Sequence, residues 1–216
     1  MEWNQASKTV ASSADPELKP TSQRLGAFSD GVFAIVATIM MFQVSVPNIL
    51  ATSLDKAALS GFAASIVTYA LSYLVIFTLW VSHHYLLLTV RYPDRNMIWL
   101  NGFMLFFVSL IPMAARFLGS NPTSDKAAAF YALFLLLCTG SFGLLRRHAV
   151  RLAEEELHRS IHRQVLRKIF MTIAVYAAAL PISFLDVRLA WVCFLITPIM
   201  FFVPVVRASG RLRSAR

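Results

Sequence analysis

Asp30 is a carboxylate near the start of the segment FSDGVFAIVATIMMF, residues 28–42, which is otherwise apolar enough to lie in lipid. Burying that charge in a membrane is expensive unless it is paired or hydrated, so it normally faces protein or water. Two chemistries use a carboxylate in such a place: handling of an ion or proton, and a polar clamp between helices. Candidate partners lie at a similar depth in neighbouring segments. The second apolar run ends FTLWVSHHY, with Trp80, His83 and His84, and the third begins NMIWLN, with Asn101 close to its start. Arg24 precedes Asp30 by six residues. Arg24, Ser29, Asp30, a histidine, Trp80 and Asn101 can therefore form one polar cluster that pins three helices. Taken singly, Trp80 also fits an interfacial belt residue, and the two histidines also fit surface positions.

The same segment has a second face. At about 100° per residue, Gly31, Ile35, Thr38 and Phe42 fall in one stripe, with Ile39 beside it and Asp30 about 110° away. The stripe is apolar with a single hydroxyl at mid-depth. Ile35 and Phe42 on their own fit lipid-facing or core positions, and Thr38 on its own fits a side chain bonded back to its helix.

The elements that must position these residues are membrane helices. Of 216 residues, 57% are hydrophobic and 14% charged, whereas about a quarter of a soluble domain is charged. Six apolar segments run approximately over 26–48, 57–82, 97–119, 127–145, 165–185 and 188–206, separated by VPN, PDRN, SNPTSD and LDVR among other breaks. Several exceed the roughly 18 residues that read as a spanning helix. The expected fold is an all-α membrane protein with six transmembrane helices. Pro112, Pro181, Pro198 and Pro204 fall in or at the ends of spans, where kinks are expected.

The net charge of +9 is carried by short segments between apolar runs and by the two ends, which is an orientation signal rather than a nucleic-acid footprint. With the N-terminus inside, sixteen basic residues fall on cytoplasmic segments and four, Lys56, Arg116, Lys126 and Arg188, fall outside. Both termini are expected to be cytoplasmic. Residues 1–23 have no apolar core and read as a flexible tail, 24–206 as the spanning domain, and 207–216 as a basic tail. The charged segment 146–168 reads either as an amphipathic helix on an anionic membrane surface or as a solvated connector extending the fourth and fifth spans. Cys138 and Cys193 sit in apolar runs and are expected to be buried thiols. The five histidines form no ligand pattern with carboxylates inside a span, which argues against a membrane-embedded metalloenzyme.

Arg24, Phe28, Ser29 and Asp30, in the pattern R-x-x-x-F-S-D followed by GVFAI, resemble the signature of the transmembrane protein 175 family. Trp80 and His83 as W-x-x-H, Leu100 with Asn101, and Pro112 fit as well. That family includes the endosomal and lysosomal potassium channel of animals and short six-span prokaryotic relatives. The resemblance covers residues 24–206, with its specific motifs in the first three spans. It implies a channel selective for potassium over sodium, with K+ as permeant ion, no cofactor and no TVGYG filter; no such run occurs here. It implies a four-fold pore lined by the first helix of each repeat, and hence a homotetramer for a chain with one repeat. Ile35 maps onto the family's constriction and Thr38 onto its selectivity-linked threonine, with K+ passing nearby. Ile39 flanks them and Phe42 lies a turn outward, bulkier than the aliphatic residue expected there. Arg24, Phe28, Ser29, Asp30, Trp80, His83 or His84, and Asn101 map onto the network that holds the pore helix; spacing favours His83. The implied setting is a bacterial inner membrane, with lipid, monovalent cations and further copies of the chain as partners.

A different reading of the same carboxylate is a proton- or cation-coupled secondary transporter that uses Asp30 as its coupling site. Such proteins usually show internal repeats with broken helices at mid-membrane. No repeat is evident in this chain.

Overall fold

The computed structural model describes residues 21–46, 56–90, 92–152 and 156–202. The N-terminal tail up to residue 20, Pro204, the end of the sixth apolar segment and the basic C-terminal tail lie outside them.

Among the described residues six α-helices follow one another: α1 Ser22–Ile39, α2 Lys56–Leu87, α3 Arg95–Ser120, α4 Asp125–Leu152, α5 Glu156–Leu185 and α6 Val187–Phe202. Their starts follow from capping residues. The Thr21 hydroxyl accepts from the backbone N–H of Arg24 at 3.4 Å, and the Asp94 carboxylate accepts from Met97 N–H at 2.8 Å. Each satisfies one donor that the first turn leaves free. The α3–α4 and α5–α6 connections are closed in the same way, Ser124 Oγ accepting from Ala127 N–H and Asp186 Oδ1 from Arg188 N–H.

Among the described residues, five helices are long and apolar enough to cross a membrane, and α6 contributes an apolar stretch over Val187–Ile199. The helix bounds depart from the apolar runs in two informative ways. The first run, expected as a helix over 26–48, ends as α-helix at Ile39, tightens into a 3-10 turn at Met40–Gln43 and is extended at Val44. Helices often finish in such a turn. The other runs are extended by polar residues: α2 continues past position 82 through both histidines, and α4 and α5 enter the charged segment from either side. Polar residues outside the apolar layer remain helical because the hydrogen-bond ladder, not hydropathy, decides where a helix ends. Pro112, Pro181 and Pro198 lie inside α3, α5 and α6.

Lipid is as apolar as leucine, so helix association here rests on close packing and on polar contacts. Gly119 of α3 is one close approach: a Cβ there would lie 3.3 Å from the backbone of Ser65 on α2. Polar pins accompany the packing. Ser72 and Tyr131 share a hydrogen bond of 2.8 Å between α2 and α4, and Tyr176 and Thr197 one of 2.7 Å between α5 and α6. The Trp191 indole N–H of α6 donates to the Pro122 carbonyl at 3.0 Å. Cys138 is buried in this core and Cys193 half-buried on α6.

The first helix stands at the edge of the bundle, packed on α2 and α3. Only Ser29, Phe33 and Val36 of α1, with Met40 in the turn beyond, are buried. They share one face about 60° wide at 100° per residue. An open groove flanks α1 on each side, about 390 Å³ against α2 and about 500 Å³ against α3.

Candidate functional site

The narrow buried face of α1 carries the first half of the site. Ser29 is fully buried and its hydroxyl donates to the Leu25 carbonyl at 2.8 Å. The Asn101 side-chain amide N–H of α3 donates to Ser29 Oγ at 2.9 Å, and Asn101 Oδ1 lies 2.7 Å from His83 Nε2 of α2. With the amide nitrogen already directed at Ser29, the oxygen must accept, so His83 carries its proton on Nε2. The hydrogen bonds thus run in one direction, from His83 through Asn101 and Ser29 to the α1 backbone. His83 Nδ1 is buried without a partner among the described residues, beside the Phe33 ring at 5.7 Å. Three helices meet in this triad.

The second half is a separate pair. The Trp80 indole N–H donates to Asp30 Oδ1 at 2.8 Å, both residues being half-buried. His84 packs on Trp80 with ring centroids 5.7 Å apart and is exposed. Asp30 lines both the apolar groove between α1 and α2 and a cleft of about 640 Å³ that continues past His84 to Val90. One cluster expected from the sequence is therefore two: a buried neutral triad and a carboxylate–indole pair at a cleft. Of the two histidines, His83 joins the triad.

Arg24 and Phe28 join neither group. Arg24 is exposed and makes no ion pair among the described residues, and Phe28 is 64% exposed. A separation of six residues turns a helix by about 240°, so Arg24 and Asp30 leave α1 in different directions. Leu100 is half-buried beside Asn101, and Pro112 lines the groove between α1 and α3.

The opposite face of α1 carries Ile35, Thr38, Ile39 and Phe42, all exposed, with Ile35 at 59% and Phe42 at 81%. The centre of this stripe lies about 140° from that of the buried face, on the far side of the helix. Phe42 sits in the 3-10 turn rather than on α-helical spacing, so its place on the stripe follows from its exposure and not from the 100° rule. The Thr38 hydroxyl lies 3.0 Å from the Ala34 carbonyl and 2.8 Å from that of Ile35, and donates to its own helix. Its proton is used within the chain, which leaves the oxygen of this exposed residue free to accept. A threonine held in this way presents an acceptor, not a donor.

Two contacts escaped the sequence reading. Arg146, counted among the cytoplasmic basic residues, is 3% exposed and donates through Nη1 to the Ser82 carbonyl at 3.3 Å, with Nε unpartnered among the described residues. Asp94 pairs with His148 Nε2 at 2.9 Å and so ties the start of α3 to the end of α4. Desolvation pushes the Asp94 carboxyl up, but the Met97 N–H and His148 outweigh it and hold the group below its ordinary value. The polar spacing at PDRN signals the cap; nothing in the sequence signals the histidine.

Fold and site together define a multi-pass helical membrane protein whose first helix is pinned on one face and bare on the other. The sequence profile described as "Endosomal/lysosomal potassium channel TMEM175" matches residues 24–112. A protein of Chamaesiphon minutus described as a potassium channel is 30% identical over 190 residues, covering 84% of this chain and 93% of that one. Another so described, from a Chryseobacterium, is 27% identical over 195 residues, covering 89% and 98%. The crystal structure of a lysosomal potassium-selective channel TMEM175 homolog from Chamaesiphon minutus superposes with a TM-score of 0.74 at 26% identity, covering 90% of this chain and 98% of that one. This chain belongs to the TMEM175 family. The family is one of ion channels rather than enzymes.

Proposed function

We propose that this protein is a potassium channel of a bacterial inner membrane, selective for potassium over sodium, built from four copies with α1 innermost. The observation that carries the reading is the exposure of Ile35, Thr38 and Phe42 opposite the face that pins α1 to α2 and α3. A mainly apolar stripe with one hydroxyl, bare in the single chain, is covered when four identical copies close around an axis, since closed symmetry is the usual state of identical subunits. An aromatic row on α2, including Tyr73 and Phe77 stacked at 6.5 Å, is also largely exposed beside α1 and offers a surface for the adjacent copy. The relatives named as potassium channels support the permeant ion.

In this assembly Ile35 forms the constriction, Ile39 and Phe42 line the pore beyond it, and Thr38 contributes a ring of four oxygens. Asp30 does not line the pore; it holds α1 through Trp80, while Ser29, Asn101 and His83 fix its depth and rotation. The channel domain is residues 24–206, with the tails 1–23 and 207–216 and the basic connections on the cytoplasmic side. Conduction needs no cofactor.

Purified protein in a planar bilayer between potassium and sodium solutions tests the function. The current should reverse near the potassium equilibrium potential. Thr38→Val keeps the shape and removes the ring of oxygens that faces a partly dehydrated cation, so its reversal potential should move toward zero. An unselective parent, or a mutant whose potassium-to-sodium ratio matches the parent, would overturn the assignment.

A further inference from the structure

We propose that a groove on the side of the bundle away from α1 binds one anionic phospholipid of the membrane, with an acyl chain in the groove and its phosphate on Arg147. The groove lies between α3, α4 and α5 and holds about 420 Å³. Its walls are Phe103, Phe107, Leu137, Leu144 and Phe170, and its floor is Gly140. A Cβ at Gly140 would meet no atom within 4 Å, so the missing side chain is what leaves the trough open.

Its length fits one leaflet. The lining residues on α4 run from Leu136 to Arg147, a rise of about 16 Å at 1.5 Å per residue. Half of the hydrocarbon layer is about 15 Å. The groove therefore extends from mid-membrane to the surface and ends at a guanidinium. Arg147 is exposed there, and Arg151 follows one turn along α4. Arg163 and Arg167 lie seven and three residues before Phe170 on α5, on the same side of that helix, and are also exposed. None of these four arginines forms an ion pair among the described residues. Trp99, 70% exposed and one turn before Phe103, adds an indole at headgroup depth. A planar guanidinium fork suits phosphate, and neighbouring cations favour a lipid with net negative charge over a zwitterionic one. Free phosphate would use the arginines and leave the apolar trough unexplained.

The proposal concerns the outer wall of the protein and reads lipid binding, so it stands or falls separately from conduction. Protein extracted in mild detergent is to be analysed by native mass spectrometry after incubation with phosphatidylglycerol or phosphatidylcholine, and by thermal melting with the same lipids or inorganic phosphate. The parent should retain phosphatidylglycerol in preference to phosphatidylcholine and melt higher with it, with no rise from phosphate. Arg147→Gln should weaken phosphatidylglycerol retention about tenfold, the size of one lost charge-assisted contact. Gly140→Leu fills the trough and should do the same while leaving the oligomer intact. Equal retention of the two lipids, parent-like retention by both variants, a phosphate effect as large as the lipid's, or loss of the oligomer in Gly140→Leu would overturn it; the last would make the groove a contact between copies.

Discussion

Ile35→Asn is expected to raise the resting current and to reduce the preference for potassium. Four isoleucines converging on an axis leave a hydrated ion nothing to replace its lost water, so the ring can close by dewetting without steric contact. β-branching gives isoleucine one dominant rotamer in a helix, which makes that ring stiff. Asparagine supplies polar groups at the narrowest point. Lowering the barrier by about 1.4 kcal/mol there raises the current about tenfold. Ile35→Ala should also raise it, by widening the ring, with less effect on selectivity. Neither change disturbs packing inside the protomer, because Ile35 lies on the bare face of α1. Single-channel recording of both variants decides the matter. If they assemble normally and conduct no more than the parent, the gate lies elsewhere, and Phe42 is the next ring.

The second large effect is on assembly. Asn101→Leu removes the centre of the buried triad and strands the His83 N–H and the Ser29 oxygen, each at a cost of about 1–3 kcal/mol. The loss falls on the joint between α1, α2 and α3, so α1 should lose its fixed depth and rotation. Size-exclusion of the detergent-extracted variant should show broadened or dissociated protein. Asp30→Asn should be milder, since an amide oxygen still accepts from Trp80. Arg24→Ala should be milder again within the protomer, because that side chain is exposed. An intact oligomer in Asn101→Leu with only altered selectivity would place the triad in the pore lining and contradict its assignment as a clamp.

The contrast between those three substitutions shows what the sequence could tell. Long apolar runs locate the helices, since hydropathy and span length are local properties. The ends are less legible: α1 turns to 3-10 geometry at Met40 and α4 continues to Leu152, because backbone hydrogen bonding outlasts or falls short of the apolar run. Partners at equal depth were legible, and Ser29, Asn101 and His83 do meet, as do Asp30 and Trp80. Equal depth alone does not bring Arg24 to Asp30, because a six-residue spacing sends the two side chains off the helix in different directions. The burial of Arg146 and the groove ending at Arg147 depend on how α4 sits among its neighbours, which no single segment records.

A pore of this kind requires four first helices facing one another, which cross-linking tests directly. In a background with Cys138 and Cys193 replaced by alanine, a single cysteine at position 35 should be joined in membranes by a four-armed maleimide, which links one thiol per arm, into a ladder ending at four subunits. The same cysteine at position 170, on the outer wall, should give no such ladder. Products that stop at dimers, or equal cross-linking from both positions, would contradict a pore built from the bare face of α1.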